Sequence, residues 1–398
     1  MPKVLRILNR LNIGGPAYNG ALLTKFMEPD FDTMLLVGCI DKAEGNGDYL
    51  TSSLGIKPII IPEMKRSINP RLDYIAYKKI VSIIKDFKPD IVHTHASKAG
   101  ALGRSAAFNL QIPVIIHTFH GHVFDKYFGR FEAETYKFIE RRLARKTNRI
   151  IVLSKNQQED IVDKYKICSL NKTRIIPLGF DLQKFSENKL EKRNKFRNEY
   201  FLDEETVAIG IIGRLAPIKN HFLFLKALKD LKDNSKFRFR AFIIGDGEER
   251  QRIEEYASSI SLSFTSNPIE SPKNNITFTS WIKDIDIALS GLDIIALTSL
   301  NEGTPVSLIE AQAAGKPIVS TNVGGIHNVV IPNETALLSD LNDNVAFSKN
   351  LLDLTNNKHL REKLSEKGYE FVKNKFHYNR LINDTKKLYF ECLNNNNS

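Results

Sequence analysis

Cysteine is scarce in this 398-residue sequence, and its three cysteines lie far apart. No two of them have the spacing of zinc ligands or of a redox motif, so we expect neither a disulfide scaffold nor a cysteine-based zinc site. Such sparse cysteine is typical of a protein in a reducing cytoplasm. Long apolar runs are also missing, and the short run within residues 1–15 predicts neither a signal peptide nor a membrane span.

Acidic residues are fewer than basic ones, which gives the chain a net charge of +11. Positive charge attracts nucleic acid, an anionic membrane face or a phosphorylated small substrate, and it does not choose among them. The basic residues are not gathered on a recognised nucleic-acid module, and no aromatic RNA-binding signature is present. We therefore expect no nucleic-acid partner, and a nucleic-acid-binding protein is the least favoured alternative.

Short apolar, β-branched runs recur along the chain with helical stretches between them. Runs that are apolar on both faces are typical of strands in a parallel sheet covered by helices. A first series begins at residues 4, 34, 58, 90, 113, 149 and 174, and a second begins at residues 207, 239, 275, 293 and 316. Because the pattern restarts after a charged stretch, it predicts two domains.

The predicted fold class is α/β, with two doubly wound, Rossmann-like domains that face each other across a cleft. Each sheet is expected to bind its ligand beyond the carboxyl ends of its strands. The predicted boundaries are 1–181 and 182–375 for the two domains and 376–398 for a C-terminal helix and tail. Apolar residues at helical spacing predict that last helix, which can cross back to the first domain.

The segment 301–320 carries the most informative pattern of the second domain. Glu302 follows a predicted strand and so falls on the loop beyond its carboxyl end. Thr304 is the predicted N-cap and Pro305 the first helical residue, which places Glu310 between one and two turns into the helix. The free N–H groups of such a helix start can bind a diphosphate, and a carboxylate set deeper can accept hydrogen bonds from ribose hydroxyls.

A basic element follows another strand of the second domain. That strand ends at Gly213, and Arg214 and Lys219 come shortly after it. A guanidinium can hold a phosphate through two hydrogen bonds and an ammonium adds a compact charge, so the pair can stabilise a departing diphosphate. Taken singly, these residues and the two glutamates would be ordinary surface charges. Their shared position at strand ends favours a site.

Together these motifs resemble the retaining GT-B glycosyltransferases of family four. The resemblance rests on Gly213-Arg214 with Lys219, the strand end at residues 245–247, and Glu302 and Glu310 separated by seven residues. Residues 93–104 and 117–124 further resemble enzymes that extend bacterial surface polysaccharide or glycan chains. The resemblance spans essentially the whole chain, and it implies an acceptor-side first domain and a nucleotide-sugar donor domain after it.

The resemblance assigns roles to individual residues. Arg214 and Lys219 would bind the donor diphosphate, Glu310 the ribose hydroxyls, and Glu302 the hydroxyls of the transferred sugar. The base would rest near Trp281 and Ile282, and the loop at Gly15 would meet the donor phosphate and the acceptor. The implied catalytic residues are His120, Arg214, Lys219 and Glu302, and the implied donor-binding residues are Gly15, Gly213, Trp281, Ile282, Gly303, Thr304, Pro305, Val306 and Glu310.

Glycines and histidines mark the first domain. Gly14 and Gly15 open a helix after the first strand and allow close approach of a ligand, although a plain glycine turn explains them as well. His120 matches the functional histidine of the resembled family and would hydrogen-bond the donor sugar near its anomeric centre. His93, His95, His117 and His122 also fall at predicted strand ends. His95 and His122 are cleft candidates without an assigned role.

Two patterns suggest a metal, and neither leads us to expect one. The histidines have a spacing that could chelate zinc, but no acidic or cysteine ligand accompanies them, and the resembled family works without metal. Asp284 and Asp286 have the Asp-x-Asp spacing of metal-dependent glycosyltransferases of a different fold. They precede a predicted helix, so one of them should serve its N-terminus. We expect no cofactor, and activity in excess chelator.

The implied reaction moves a hexosyl or N-acetylhexosaminyl group from a nucleotide sugar, here a UDP-sugar, to a hydroxyl of a glycan or lipid-diphosphate-linked acceptor. By resemblance, the anomeric configuration is retained and the leaving phosphate oxygen takes the acceptor proton. The alternatives are a nucleotide-sugar epimerase of the same architecture and a non-catalytic binding protein. A nicotinamide dehydrogenase is disfavoured because residues 12–20 lack the G-x-G-x-x-G spacing.

The stretch 126–149 is dense in Lys and Arg and begins with aromatic residues. A basic helix flanked by Tyr127, Phe128 and Phe131 could dock on anionic lipid and meet a lipid-diphosphate acceptor. A solvated amphipathic helix with buried aromatics explains the pattern as well. The expected localisation is cytoplasmic, with peripheral association at the inner face of the plasma membrane as an open prediction.

Overall fold

The computed structural model describes residues 1–12, 14–40, 47–65, 67–121, 130–267 and 274–396. The chain divides into two compact units, Met1–Phe180 with Phe376–Ser398, and Asp181–Lys375. Each unit contains one seven-stranded sheet whose paired strands all run parallel. Parallel sheets covered by helices are the architecture that the two series of apolar runs predict.

The sheet of the first unit has the strand order β3-β2-β1-β4-β5-β6-β7. Its strands are β1 (Lys3–Leu8), β2 (Asp32–Gly38), β3 (Ile59–Ile61), β4 (Ile91–His95), β5 (Val114–Thr118), β6 (Arg149–Val152) and β7 (Thr173–Ile175). All seven coincide with predicted runs. The order reverses between β1 and β4, and the carboxyl ends at such a switch point are where ligands bind in doubly wound sheets.

Among the described residues, six α-helices accompany this sheet before the chain enters the second unit. They are α1 (Gly15–Lys25), α2 (Asp48–Ser53), α3 (Pro70–Phe87), α4 (Ser97–Asn109), α5 (Arg130–Arg145) and α6 (Lys155–Glu159), the last continued by a π-helical turn over Asp160–Lys164. Helix α3 shows why such segments form, because the Asn69 side chain caps it and Pro70 takes its first position. Its Ala76, Ile80 and Ile84 are buried in the core, at about 1.5–3 kcal/mol for each large apolar side chain.

The second unit repeats the plan with the order β10-β11-β9-β8-β12-β13-β14. Its strands are β8 (Val207–Ile212), β9 (Phe239–Ile244), β10 (Phe264–Thr265), β11 (Ile276–Ser280), β12 (Ile294–Leu297), β13 (Ile318–Thr321) and β14 (Ala336–Ser339). Its helices are α7 (Gln183–Ser186), α8 (Lys189–Glu199), α9 (His221–Asn234), α10 (Arg250–Ser259), α11 (Ile285–Gly291), α12 (Val306–Ala313), α13 (Asn344–Asn356), α14 (Lys358–Ser365) and α15 (Gly368–Phe376). The strand order reverses between β8 and β12.

The sequence prediction missed the two edge strands of this sheet, β10 and β14. Strand β10 has only two residues, and β14 has two partly exposed residues between two buried ones. Edge strands have one neighbour and need no continuous apolar run. The pattern that identifies central strands is therefore missing from both.

The C-terminal helix α16 (Tyr378–Asn396) belongs to the first unit. Its apolar face joins the core cluster that contains Val4, Ile91 and Ile116. Arg380 donates hydrogen bonds to the carbonyl oxygens of Pro177 and Leu178, both at 2.7 Å. The helix thus returns to the first unit after the chain has completed the second, as the sequence allowed.

Candidate active site

Lys219 and Glu302 form an ion pair in the second unit. Lys219 Nζ lies 2.5 Å from Glu302 Oε1, and the hydroxyl of Ser299 donates to the same oxygen at 2.6 Å. The side chains are 23% and 11% exposed, so the pair is partly withdrawn from water. Lys219 keeps further N–H donors and Glu302 keeps its second oxygen, which leaves both able to bind a substrate.

The loops that carry this pair are joined by hydrogen bonds to backbone carbonyl oxygens. Leu300 N–H donates to Ile218 O at 2.8 Å, and the hydroxyl of Thr298 donates to Lys219 O at 2.9 Å. Thr298 and Ser299 are fully buried. The sequence analysis missed both residues, although two polar residues at the end of a buried strand are a signal that could have identified them.

Helix α12 begins one residue later than predicted. Pro305 is its N-cap and Val306 its first residue, and no side chain caps it, so the prediction of Thr304 as the N-cap was wrong. The reason is that Pro305 has extended backbone angles, φ −71° and ψ 105°, which keep it out of the helix. The first N–H groups of α12 therefore have no side-chain acceptor, and such groups attract an anion.

Two glycines bring a second loop against Glu302 and Gly303. A Cβ on Gly325 would lie 1.8 Å from Gly303 O, and a Cβ on Gly324 would lie 2.1 Å from Glu302 O. Gly325 N–H donates to Glu302 O at 2.9 Å. Only glycine fits at these positions, and the contact fixes the backbone that carries Glu302. The sequence analysis did not identify this loop.

Glu310 lies in the second turn of α12 and is 8% exposed. Burial raises its pKa to about 7, the nearby Lys184 charge opposes the rise, and Asp286 adds to it. A buried carboxyl of this kind loses its desolvation penalty when hydroxyl groups bind it. This position suits the predicted contact with two vicinal hydroxyls.

Arg214 and the glycines around it form the neighbouring loop. Its guanidinium is about half exposed, and its nearest carboxylate oxygen, on Glu248, is 3.9 Å away. A Cβ on Gly245 would lie 2.0 Å from Gly213 O, so the loops after β8 and β9 pack backbone against backbone. This contact explains the glycine at 245. The half-exposed Arg214 side chain is able to reach a ligand.

Trp281 and Ile282 follow β11. The Trp281 side chain is 45% exposed, and Ile282 is partly buried. Arg250 holds the adjoining loops, because its Nη1 donates to Ser280 Oγ at 2.8 Å and lies 3.3 Å from Asp246 Oδ2. An exposed indole beside a strand end offers a flat apolar surface on which a base could stack. The sequence analysis missed the role of Arg250.

The Asp-x-Asp residues lie at the start of α11. Asp284 is at the N-cap position but makes no side-chain cap hydrogen bond, and Asp286 lies in the first turn. Asp286 forms an ion pair with Lys192 at 2.9 Å. In the part of the chain that the structure describes, no three or more His, Cys, Asp or Glu side chains lie where they could share a metal ion.

In the first unit, His95 and His120 are in direct contact. His95 Nδ1 lies 2.9 Å from His120 Nε2, so one of the two rings donates a hydrogen bond to the other. Burial lowers the pKa of His120 to about 3, and burial with neighbouring cationic groups lowers the pKa of His95 well below its ordinary value. Both imidazoles are therefore neutral near pH 7. His122 lies outside the described residues.

The other two histidines are held inside the sheet. His93 contacts the hydroxyl of Tyr389 at 2.6 Å and that of Thr118 at 2.7 Å. His117 Nδ1 lies 2.8 Å from the hydroxyl of Thr94. These partners give both residues a structural role. The sequence analysis did not identify Tyr389 as one of them.

Gly15 begins α1 and is buried. A Cβ at this position would lie 2.7 Å from Leu178 Cδ1, so any other residue would have to displace that leucine side chain. No side chain caps α1. Pro16 has no N–H group, and the N–H groups of Ala17 and Tyr18 donate to Gly14 O at 3.1 and 3.3 Å, so the start of α1 offers little to an anion. The ligand role of Gly15 stays a prediction.

The predicted residues fall into two groups. The second unit brings Lys219 and Glu302 into contact and places residues 303–306 and Glu310 directly after them, with Arg214 and Trp281 on neighbouring loops. His120 and Gly15 belong to the first unit. Each of these residues follows the carboxyl end of a strand. Lys219 follows β8 and Glu302 follows β12, the two strands beside the switch point of the second sheet. In the first unit Gly15 follows β1, beside the switch point, and His120 follows β5, which lies one strand further along.

Comparison with known proteins identifies the family. Residues 192–371 match the model of glycosyl transferases group 1, and residues 41–184 match that of glycosyltransferase family 4. The UDP-Gal:alpha-D-GlcNAc-diphosphoundecaprenol alpha-1,3-galactosyltransferase of Escherichia coli is 31% identical over 351 residues, 87% of this chain and 86% of that protein. The capsular polysaccharide biosynthesis glycosyltransferase CapM of Staphylococcus aureus is 26% identical over 337 residues, 83% and 84% of the two chains.

Solved structures share the fold. HepE of Anabaena, crystallised with UDP, has a TM-score of 0.77 at 17% identity and covers 98% of this chain and 100% of its own. Sucrose-phosphate synthase of Thermosynechococcus elongatus also has a TM-score of 0.77 at 17% identity, covering 98% and 99%. The GT-B fold class is confirmed, and the epimerase alternative finds no support. The chain therefore belongs to glycosyltransferase family 4.

Proposed function

We propose that the chain transfers a hexosyl or N-acetylhexosaminyl group from a UDP-sugar to a hydroxyl of a lipid-diphosphate-linked or growing glycan acceptor in surface polysaccharide biosynthesis. The observation that carries this proposal is the Lys219–Glu302 pair beside the uncapped start of α12, with Glu310 one turn deeper. The named activity of the Escherichia coli relative, which uses UDP-Gal and a GlcNAc-diphosphoundecaprenol acceptor, supports the substrate classes.

The donor roles follow from the chemistry of these groups. Lys219, Arg214 and the first N–H groups of α12 bind the diphosphate and stabilise the charge that grows on it as the sugar departs. The second oxygen of Glu302 accepts a hydrogen bond from a hydroxyl of the transferred sugar. Glu310 accepts hydrogen bonds from the ribose, and Trp281 with Ile282 contacts the base. Gly213 and residues 303–306 allow the backbone to approach the donor.

The proposed reaction retains the anomeric configuration. The bond between the anomeric carbon and the phosphate oxygen breaks, the acceptor oxygen bonds to that carbon on the same face, and the acceptor proton passes to the leaving phosphate oxygen. His120 contributes a neutral hydrogen-bonding group for the sugar. We propose that no metal takes part, because cationic side chains and helix N–H groups can meet the diphosphate charge.

Product analysis tests this function. Purified full-length protein is incubated with a panel of UDP-sugars and a synthetic GlcNAc-diphospho-lipid, with excess EDTA in a parallel reaction. We expect one UDP-sugar to give a disaccharide lipid whose NMR coupling constants show retention, at an unchanged rate in EDTA. An inverted linkage contradicts retention, and a loss in EDTA that Mg²⁺ or Mn²⁺ restores contradicts the metal-independent mechanism. Release of free sugar alone contradicts the acceptor class.

We also propose that the protein works at the inner face of the plasma membrane, where a lipid-linked acceptor would be found. The described ranges contain no helix that combines the length and the apolar character needed to span a bilayer. Tyr127 and Phe128, and the side chain of Phe131, lie outside the described residues. Association through the rest of the predicted basic helix is argued below.

A further inference from the structure

We infer that the outer face of the layer formed by α3, α4 and α5 docks the first unit on the surface of an anionic phospholipid bilayer. This docking face is defined by the exposed apolar residues Ile68, Tyr74 and Ile75 at α3, Phe108 on α4, and Phe138 and Ile139 on α5. The inference deepens the proposed function and rests on it only for the reason why docking is useful, which is access to a lipid-linked acceptor.

The three helices form one continuous layer, since α4 packs against both α3 and α5. Ion pairs join them on either side of α4. Lys98 contacts Asp73 of α3 at 2.7 Å, and Arg104 contacts Glu140 of α5 at 2.7 Å. Both pairs are largely buried. Each pair removes one carboxylate and one cation from the outer surface, so the pairs leave the excess of cations on the three helices unchanged.

The exposed residues of this layer are unusual for a protein that faces only water. On α5, Phe138 and Ile139 are 55% and 41% exposed, while Glu140 points inward and is buried. On α3, Tyr74 is 60% exposed, and Ile68 before the helix is 70% exposed. Other aromatic residues of these helices, Tyr77 on α3 and Tyr136 on α5, pack against the core. Exposed Tyr74 and Phe138 on the same helices favour an apolar partner at the outer face.

The charge of the layer selects an anionic partner. The three helices contain eleven Lys or Arg residues and five Asp or Glu residues. Cations lie against the exposed aromatic rings: Lys78 Nζ is 5.5 Å from the Tyr74 ring, Arg142 Cζ is 4.9 Å from the Phe138 ring, and Lys146 Nζ is 4.1 Å from the Phe108 ring. Aromatic rings with adjacent basic side chains are typical of surfaces that bind at the lipid headgroup level.

A groove beside Phe108 adds a place for headgroup phosphates. It has a volume of about 810 Å³ and lies at the ends of α4 and α5. Arg145, Lys146, Arg149 and Lys172 line it, and no carboxylate does. The Lys172 ammonium donates to three backbone carbonyl oxygens, so Arg145, Lys146 and Arg149 are the cations left to meet a phosphate. Like charges around one groove repel each other, and phosphate groups would relieve that repulsion. The groove therefore favours anionic over zwitterionic lipid.

Vesicle flotation tests the docking face. Full-length protein is mixed with vesicles of phosphatidylcholine alone or with one quarter phosphatidylglycerol. We expect binding to the anionic vesicles to exceed binding to neutral ones at least about tenfold, since each basic residue near the surface contributes about fivefold. Equal flotation on both kinds of vesicle, or none on either, overturns the proposal.

Paired variants locate the surface. Tyr74→Ser with Phe138→Ser should lower anionic-vesicle binding at least about tenfold, because two exposed rings leave the lipid. Lys78→Glu with Arg142→Glu should lower it by a similar factor and flatten its dependence on salt. The matched controls are Phe201→Ser with Phe237→Ser, which are 58% and 46% exposed in the second unit. Vesicle binding that the first two pairs leave unchanged overturns the assignment.

Two further measurements distinguish membrane docking from self-association of the chain and from a failure of the proposed function. If the face instead joins two copies of the chain, the Tyr74 and Phe138 variants will change the oligomeric state in size-exclusion chromatography and leave vesicle binding intact, which overturns the docking assignment. The same variants should keep full transfer activity on a short-chain, water-soluble acceptor and lose it on a long-chain acceptor in vesicles. Failure of all transfer, with vesicle binding preserved, contradicts the proposed function and not the docking face.

Discussion

The two units place different chemistry at the carboxyl ends of their strands. In the first unit, buried imidazoles stay neutral, because burial lowers the pKa of His120 to about 3 and those of His93, His95 and His117 well below their ordinary value. In the second unit, Lys219 and Glu302 lie 2.5 Å apart as an ion pair. The same fold can therefore present hydrogen-bonding groups without charge on one sheet and a charged pair on the other.

This difference matches the two demands of sugar transfer. A diphosphate leaving group requires positive charge that is already in place, and in the proposed function Lys219 and Arg214 of the second unit supply it. A sugar hydroxyl requires hydrogen bonds of fixed geometry, and in the proposed function the neutral His120 of the first unit supplies one. The variants below test whether charge and positioning are separated in this way, in order of decreasing expected effect.

The largest effect should follow loss of the ammonium group in the second unit. Lys219→Ala removes a charge that stabilises the leaving diphosphate, and we expect kcat to fall by about 10²–10³. Steady-state transfer assays at saturating donor measure it. Lys226→Ala, at an exposed position on α9, serves as the control and should keep the rate. A fall confined to KM would show that Lys219 binds the donor without stabilising the transition state.

The next effect should be on stability and confined to the first unit. Tyr389→Phe removes the hydroxyl that accepts from Arg6 Nη2 at 3.0 Å and contacts His93 at 2.6 Å. Leaving those buried groups unpaired should cost about 1–3 kcal/mol. Hydrogen exchange should quicken in β1 and β4 and stay unchanged in β8 and β12. The exposed Tyr74→Phe is the control, and equal acceleration in both units would contradict a local role.

A third variant should improve stability while it weakens binding. Glu310→Gln removes a carboxyl whose pKa burial raises to about 7 from its ordinary 4.5. Because the folded state holds this proton more tightly, protonation of Glu310 favours folding. That contribution is fully present below about pH 4.5 and is lost as the pH rises through about 7. The variant should therefore gain thermal stability relative to the parent at pH 8, and gain little at pH 5.

The same variant should bind the UDP-sugar about tenfold more weakly at pH 8, because an amide accepts weaker hydrogen bonds from ribose than a carboxylate does. Calorimetric titration with UDP measures this. Asp353→Asn on α13, away from the site, is the control. A variant with unchanged affinity would remove the ribose role, and one without the pH-dependent gain would show that Glu310 is not desolvated as described.

The smallest effect should follow loss of the exposed cation. Arg214→Ala should weaken UDP-sugar binding by about fivefold, the scale of a partly solvated ion pair. It should leave the melting temperature unchanged, since the side chain is 52% exposed. Calorimetry of binding and of unfolding gives both readings. A change in stability as large as that of Tyr389→Phe would show that Arg214 supports the fold.

Much of the architecture could be predicted because its signals are local. All seven strands of the first sheet and five of the second carry their own apolar runs, and α16 shows its helical spacing. Glu302, Glu310 and Lys219 were found because each follows a strand end. The edge strands β10 and β14 were missed since edge pairing needs no apolar run. The cap of α12 was misplaced by one residue because the extended backbone at Pro305 is set by the loop before it.

Ser299 lies only three residues before Glu302 and could have been found from its place at the end of a buried strand. Other supporting residues could not be predicted, because they act across the chain. Gly325 matters only because another backbone passes within contact distance, and Arg250 reaches Ser280 over 30 residues. These two contacts have no sequence spacing that repeats, so no periodic pattern could report them.

By itself, the sequence determined two α/β units and twelve of their fourteen strands, and it placed the charged residues of the proposed donor site after strand ends. Apolar runs, strand ends and helix starts are recognisable from neighbouring residues. Only the tertiary structure decided that the hydroxyl of Tyr389 would meet Arg6 and His93 across 383 and 296 residues, and that Tyr74, Phe108 and Phe138 would stay exposed on three helices of one layer. Such contacts depend on how helices and strands pack against one another. That packing is determined by the buried surfaces of the whole unit, so no single segment of the sequence predicts it.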